Sequence, residues 1–184
     1  MAGADRRTQI RQVAARLFAV SGFHGVTIED IGASCGISGP AVYRHFASKH
    51  ALLSDLLVGI SEHLLAGAQR QSMASEDPAE VLRCLVMFHL DFSLGNADLI
   101  RVQDRDLANL GDTGRRVRRL QRAYVEVWTG TLARAVPRLA PDQARARAHA
   151  VFGLLNSTPH SAAGQEPEAM RELLSRMALA ALTA

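Results

Sequence analysis

Apolar positions recur along this 184-residue chain at spacings of three and four, with no sustained strand-like alternation, so the pattern predicts helices throughout. A first helix over about 5–21 carries Ile10, Val13, Ala14, Leu17 and Phe18 as its buried stripe, and Ser21-Gly22 closes it. Two short helices follow within 27–46. A long one starts after Ser48 and runs through Leu53, Leu56, Leu57, Ile60 and Leu64 to about Gln71. Asp77-Pro78 with Glu80 starts the next, which Gly95-Asn96 breaks; others are expected over 97–110 and 113–135, and from Asp142 until Pro159 kinks or ends it. The last, over about 167–182, carries Met170, Leu173, Leu174, Met177, Ala178 and Ala181 in one stripe that needs a covering surface. The expectation is an all-α protein of about nine helices, with a three-helix head over residues 1–48 and a larger helical-bundle body over 49–184.

The head is organised around residues 27–49. Thr27 followed three residues later by Asp30 forms a capping box, so a helix starts at Ile28. Gly36 ends it by taking the left-handed conformation, Ile37 plugs the angle that follows, and Ser38 caps a second helix with Pro40 in its first turn. Val42 and Phe46, four apart, face the core and leave Tyr43, Arg44 and His45 mainly outward. Two helices joined by such a tight turn make a helix-turn-helix, whose second helix can enter the DNA major groove.

The order Thr27, Ile28, Gly36, Ile37, Ser38, Tyr43, His45, Phe46, Lys49 and Leu52 resembles the N-terminal domain of the tetracycline-repressor (TetR) family of bacterial transcriptional regulators, over about residues 5–55. The resemblance implies an all-helical homodimer with one DNA-binding head per subunit and a body that binds a small molecule. On that basis Tyr43 and Arg44 approach bases or phosphates, Thr27, Ser38, Tyr43, His45 and Lys49 position the DNA backbone, and Gly39, Pro40 and Ala41 complete the interface. Ala41 stands where many members carry Thr, which places base reading more heavily on Tyr43 and Arg44. The resemblance also implies pairing of the last two long helices, about 142–158 and 167–182, with those of a second subunit.

Charge adds to this picture. Residues 1–50 hold six Lys and Arg against three acids, while the remainder is neutral; Lys49 is the only lysine in the chain. Arg6, Arg7 and Arg11 cluster in the first helix, where the resemblance puts them beside DNA backbone; an ordinary solvated first turn fits them equally. The arginines of the 113–135 helix (115, 116, 118, 119 and 122) read as a solvated face opposite Val117, Leu120, Tyr124, Trp128 and Leu132, with a phosphate-bearing effector or an extra DNA contact as the rarer reading.

Cys35 and Cys84 lie far apart with no CxxC, which argues against a disulfide or zinc site. The apolar runs are too interrupted for a bilayer span and Met1–Thr8 has no apolar secretion segment, so a cytoplasmic protein with no membrane partner is expected.

The motifs of enzymes are missing: there is no glycine-rich phosphate loop, no HExxH and no G-x-S-x-G. No cofactor, metal or catalytic residue is expected; His89 and Asp91 are two apart on a helix and point in different directions. Body residues that could line an apolar effector cavity are Met87, Phe88, Phe92, Ile100, Tyr124, Trp128, Phe152 and Asn156, although ordinary core packing fits each one as well. The strings Ile100–Leu107 and Gly153–His160 resemble segments of regulators of lipid and acyl-CoA catabolism, which suggests an acyl-CoA or another hydrophobic carboxylate derivative as effector. Two other readings stay open at this level: a DNA-binding regulator with no effector, and a helical small-molecule-binding protein or enzyme with a vestigial head.

Overall fold

The computed structural model describes residues 2–111, 113–161, 164 and 166–184, with side chains from Arg6 onward. Among the described residues there are ten α-helical segments and no strand: α1 (Ala2–Ser21), α2 (Ile28–Ser34), α3 (Gly39–Tyr43), α4 (Lys49–Ser72), α5 (Pro78–Gly95), α6 (Ala97–Asp106), α7 (Thr113–Ala135), α8 (Pro141–Leu155), α9 (Thr158–Ser161) and α10 (Pro167–Thr183). The caps read from sequence account for several boundaries. Asp77 accepts from Ala79 N at 2.9 Å and Pro78 opens α5; Ser48 Oγ accepts from Ala51 N at 3.0 Å at the start of α4. The helix expected over 97–110 changes to a 3₁₀ turn at Leu107–Leu110, a common tightening at helix ends. Pro159 stands in the short α9, separate from α8.

The chain packs as two units. One comprises Met1–Ile60 and Asp98–Val117. Its core is built by Ile10, Ala14 and Phe18 of α1, Phe23, Ile31 of α2, Val42, Phe46, and Leu52 and Leu53 of α4, all buried; Leu17, expected in the same stripe, is half-buried. The Asp98–Val117 segment is tied to α1 by Arg105, whose guanidinium donates to the carbonyl of Phe18, which also accepts from Gly22 N, and, at 3.4 Å, to that of Ala19. Asp106, buried, pairs with Arg105 (3.3 Å), and Asn109 Oδ1 accepts from His24 Nε2 (3.1 Å). Helix C-termini leave carbonyls without helical partners, so Arg105 caps α1 from a segment distant in sequence.

The other unit comprises Ser61–Ala97 and Arg118–Ala184. Here α10 packs on α8 and α5. The stripe expected on α10 splits in two: Met170, Leu174, Ala178 and Leu182 are buried, whereas Leu173 and Met177 are 42% and 47% exposed. The seam between α4 and α5 is close because Gly67 leaves a notch for the Phe88 ring; a Cβ at Gly67 would lie 1.9 Å from it.

One expectation is corrected by the fold. By length and composition α4 is apolar enough to cross a membrane, contrary to the sequence reading that no run suffices. Half of its apolar window is buried inside the protein, which is also the pattern of a core helix.

Candidate nucleic-acid interface and body cluster

The interface is assembled from local rules. Thr27 Oγ1 accepts from Asp30 N (3.1 Å) and donates to Asp30 Oδ2 (2.7 Å), and Asp30 Oδ2 also accepts from Thr27 N (2.8 Å), which completes the capping box. These bonds from the Thr27 side chain and backbone hold the Asp30 carboxyl below its usual range. At the other end of α2, Gly36 takes φ +68°. Its N–H donates to Ala33 O (3.1 Å) and that of Ile37 to Gly32 O (2.9 Å), the paired bonds of a Schellman ending. Ser38 occupies the cap position of α3, but its side chain makes no cap bond.

Sequence reasoning overlooked Gly32. A Cβ there would lie 2.9 Å from Ile37 O and 3.1 Å from Gly39 N, so only glycine lets the turn backbone sit against α2. A glycine inside a seven-residue helix is the signal that points to such a close approach.

The second helix, expected to reach about Phe46, ends at Tyr43 with Arg44 as its C-cap; Val42 is fully buried and Phe46, just beyond α3, nearly so, while Tyr43 is 50% exposed and Arg44 is exposed. Neither Tyr43 nor Arg44 makes a hydrogen bond or ion pair with another described side chain. Pro40 is exposed, Ala41 and His45 are half-buried, and Gly39 is buried beside Glu29, with Oε1 3.1 Å from where a Cβ would stand. The exposed surface of this helix is therefore Pro40, Tyr43 and Arg44, with Thr27 exposed at the start of α2.

Lys49, expected at a phosphate, is held within the chain. Its Nζ donates to Phe23 O (2.8 Å) and Val26 O (2.6 Å) and stands 4.5 Å above the Phe23 ring. The only lysine thus clamps the loop between α1 and α2 onto the start of α4. Arg7 braces the same region, donating to His45 O (2.6 Å), pairing with Asp55 (2.6 Å) and covering the Phe46 ring at 4.1 Å. Arg11 also pairs with Asp55 (3.2 Å), and Arg6 donates to Cys35 O (3.2 Å). Lys49→Met is expected to lower unfolding stability by about 1.5–3 kcal/mol, the range for hydrogen bonds to a charged group. Urea unfolding measures this, and the salt dependence of DNA binding should keep its slope; a shallower slope at unchanged stability would return Lys49 to phosphate contact.

In the body unit, Tyr124, Trp128, Phe152 and Asn156 converge on His89. Its Nε2 donates to Asn156 Oδ1 (3.0 Å), so Nδ1 is bare and accepts from the Tyr124 hydroxyl (2.7 Å). Ser93 Oγ also donates to Asn156 Oδ1 (3.4 Å), and Thr158 Oγ1 donates to Ser93 O (3.1 Å). The rings of His89 and Phe152 stack 5.4 Å apart, and Trp128 meets Phe152 edge-on at 5.0 Å. Among the described residues the buried Trp128 Nε1 donor has no hydrogen-bond partner. Burial pushes the His89 imidazole down to about 4 and the Tyr124 phenol up.

The other effector candidates stand elsewhere. Phe88 and Phe92 pack on His63 of α4, each with ring centroids 5.8 Å away, and Ile100 belongs to the first unit. Met87 and Phe88 line a groove of 440 Å³ with Gln71, Glu80, Arg83, Cys84 and Asp91. Among the described residues no group of His, Cys, Asp and Glu could hold a metal ion.

Known proteins place this geometry. The family of bacterial regulatory proteins, tetR family, matches residues 10–56, and the tetracyclin repressor-like C-terminal domain matches residues 75–182. The chain belongs to the TetR family. This TetR-family regulator is 28% identical over 130 residues to the HTH-type transcriptional repressor KstR2 of Rhodococcus jostii, covering 69% of this chain and 63% of that protein. It is 37% identical over 82 residues to the uncharacterized HTH-type transcriptional regulator YerO of Bacillus subtilis, covering 43% of this chain and 28% of that protein. The matched segments thus span less than two thirds of either relative's length. Among solved structures, a TetR-family transcriptional regulator from Bordetella parapertussis superposes with a TM-score of 0.84 at 26% identity, covering 94% of this chain and 93% of its own. AibR, in complex with isovaleryl coenzyme A and operator DNA, shares the fold with a TM-score of 0.79 at 19% identity, over 94% and 97% of the two chains.

Proposed function

We propose that this TetR-family regulator is a cytoplasmic homodimeric repressor that binds a near-palindromic operator through the head, residues 1–48, and is released when the body, residues 49–184, takes up a small hydrophobic effector. The observation that carries the reading is the pair Tyr43 and Arg44, exposed at the C-terminal end of α3 while Val42 and, just beyond the helix, Phe46 seat it on the core. Arg44 reads a guanine edge and Tyr43 a base or phosphate, while Thr27, Ser38, Pro40, Ala41 and His45 set the helix against the backbone. Gly39 acts through its small size rather than by contact.

The partner subunit covers α8 and α10, so that two α3 helices meet successive major grooves about 34–36 Å apart. The effector reading rests on Tyr124, Trp128, Phe152 and Asn156, which gather at one polar cluster, while Phe88 and Phe92, also candidates, lie apart from it against His63. AibR, whose structure holds isovaleryl coenzyme A, supports an acyl-CoA as the class to try first. Binding favours a body conformation in which the heads no longer match the groove spacing, which requires the effector to distinguish the two conformations. Full burial of Trp128 within that cluster supports a second reading, a regulator with no effector.

The test is a titration of duplex DNA selected by the wild-type protein. Arg44→Ala is expected to weaken binding by about tenfold to a hundredfold, as removal of one bidentate base contact predicts. Unchanged affinity and sequence preference would rule α3 out as the reading element.

A further inference from the structure

The outer face of α7 carries charge that neither the head nor the core uses. Between Thr113 and Val125 that helix has five arginines, at 115, 116, 118, 119 and 122, and no acid; the preceding Asp112 lies outside the described residues. Its first turn has no carboxylate, although the positive end of a helix favours one. Arg118, Arg119 and Arg122 are exposed, and none of these three makes a salt bridge or hydrogen bond with the described residues. Arg118 and Arg122 are four apart, and Arg119 and Arg122 three apart, so like charges adjoin on the surface and oppose the helix.

Four other helix arginines have an acid one turn away: Arg83 has Glu80, Arg101 has Asp98, Arg171 has Glu168 and Arg176 has Glu172. Arg16, Arg70, Arg134 and Arg145 stand exposed singly on their helices; only α7 gathers several exposed arginines together. The opposite face of α7, with Val117, Tyr124 and Trp128 buried, fixes the helix so that the three guanidinium groups point to solvent. The first acid on this face is Glu126, exposed four residues beyond Arg122 and in no ion pair with it, so the arginine run keeps a self-repulsion that an external polyanion would offset.

We propose that Arg118, Arg119 and Arg122 form a second, sequence-independent contact for the backbone of duplex DNA. From 118 to 122 the helix advances about 6 Å, a length over which duplex DNA presents about four phosphate charges. A single phosphate group would engage one fork and leave the others repelling, whereas a row of phosphates meets all three. The proposal rests on the reading of this chain as a DNA-binding regulator.

The experiment uses the full chain and a random-sequence duplex of about 40 base pairs, titrated between about 50 and 200 mM salt. The triple variant Arg118→Gln, Arg119→Gln, Arg122→Gln is expected to bind with a shallower dependence of log affinity on log salt, by about 0.9 for each phosphate that the variant no longer neutralises. Its sequence preference should be unchanged, and its thermal midpoint equal to or above wild type because repulsion is removed. A salt slope equal to wild type overturns the proposal and leaves α7 with a solvated face only. Arg44→Ala separates the two readings: it should reduce sequence preference while keeping most of the slope. A shallower slope in the triple variant of a protein that shows no sequence preference would uphold the α7 contact and sink the head reading; no DNA binding by wild type overturns both.

Discussion

Replacing Leu173 and Met177 together by aspartate is expected to convert the protein from two chains to one and to weaken operator binding by about a hundredfold or more. Both side chains are nearly half exposed on α10 and lie four residues apart, on one edge of the helix. The neighbouring edge, Met170, Leu174, Ala178 and Leu182, is buried, so the substitution spares the packing of α10 on α8 and α5. A dimer across a two-fold axis presents the same patch twice, and each carboxylate would be taken out of water without a cation to meet it. Loss of the second head removes the gain that linking two binding modules confers, about 10²–10⁴ in affinity. Light scattering should give twice the 19.9 kDa chain mass for wild type and a single chain mass for the variant. A wild-type protein of one chain mass, or a variant that remains paired, would place the interface elsewhere.

The second large effect is a loss of stability in mild acid. In the folded body His89 stays neutral down to about pH 4 because burial penalises its charged form. In the unfolded chain it takes up a proton below about pH 6.5. Between those values the unfolded state binds more protons, so stability is full above about pH 6.5, falls as pH drops to about 4, and is then insensitive to this group. A displacement from 6.5 to about 4 corresponds to a loss on the order of 3 kcal/mol, a large part of a domain's net stability. His89→Gln should flatten the profile of unfolding free energy in that window. An unchanged profile in the variant would assign the acid sensitivity to other groups. Asp30 acts in the same direction at lower pH, since its lowered carboxyl stabilises the α2 cap until it is protonated.

The parts of this fold that were legible in the sequence are those set by neighbours along the chain. Thr27 with Asp30, Gly36, and Asp77 with Pro78 need only local geometry to end or begin a helix, and each does so in the structure. The apolar periodicity of α7 likewise gave Thr113–Ala135, because nothing distant interrupts it.

Where a side chain had a choice of partners, spacing was silent. Lys49 could meet a phosphate or the carbonyls of Phe23 and Val26, and only packing brings those carbonyls within reach. Arg105 was one charge in a mixed run until its guanidinium met the end of α1. Four effector candidates converge on His89, but Phe88 and Phe92 turn toward His63 from the same helix, α5. A helix places neighbouring side chains about 100° apart, and the sequence does not say which neighbour each sector will find.

The central claim, that α3 of this regulator reads DNA, is tested most directly by selection from a random duplex library, followed by sequencing of the retained DNA and a salt titration of the product. Enrichment of a shared near-palindrome, with affinity that falls as salt rises, is the predicted result. Retained DNA with no shared sequence, bound only weakly, would contradict it.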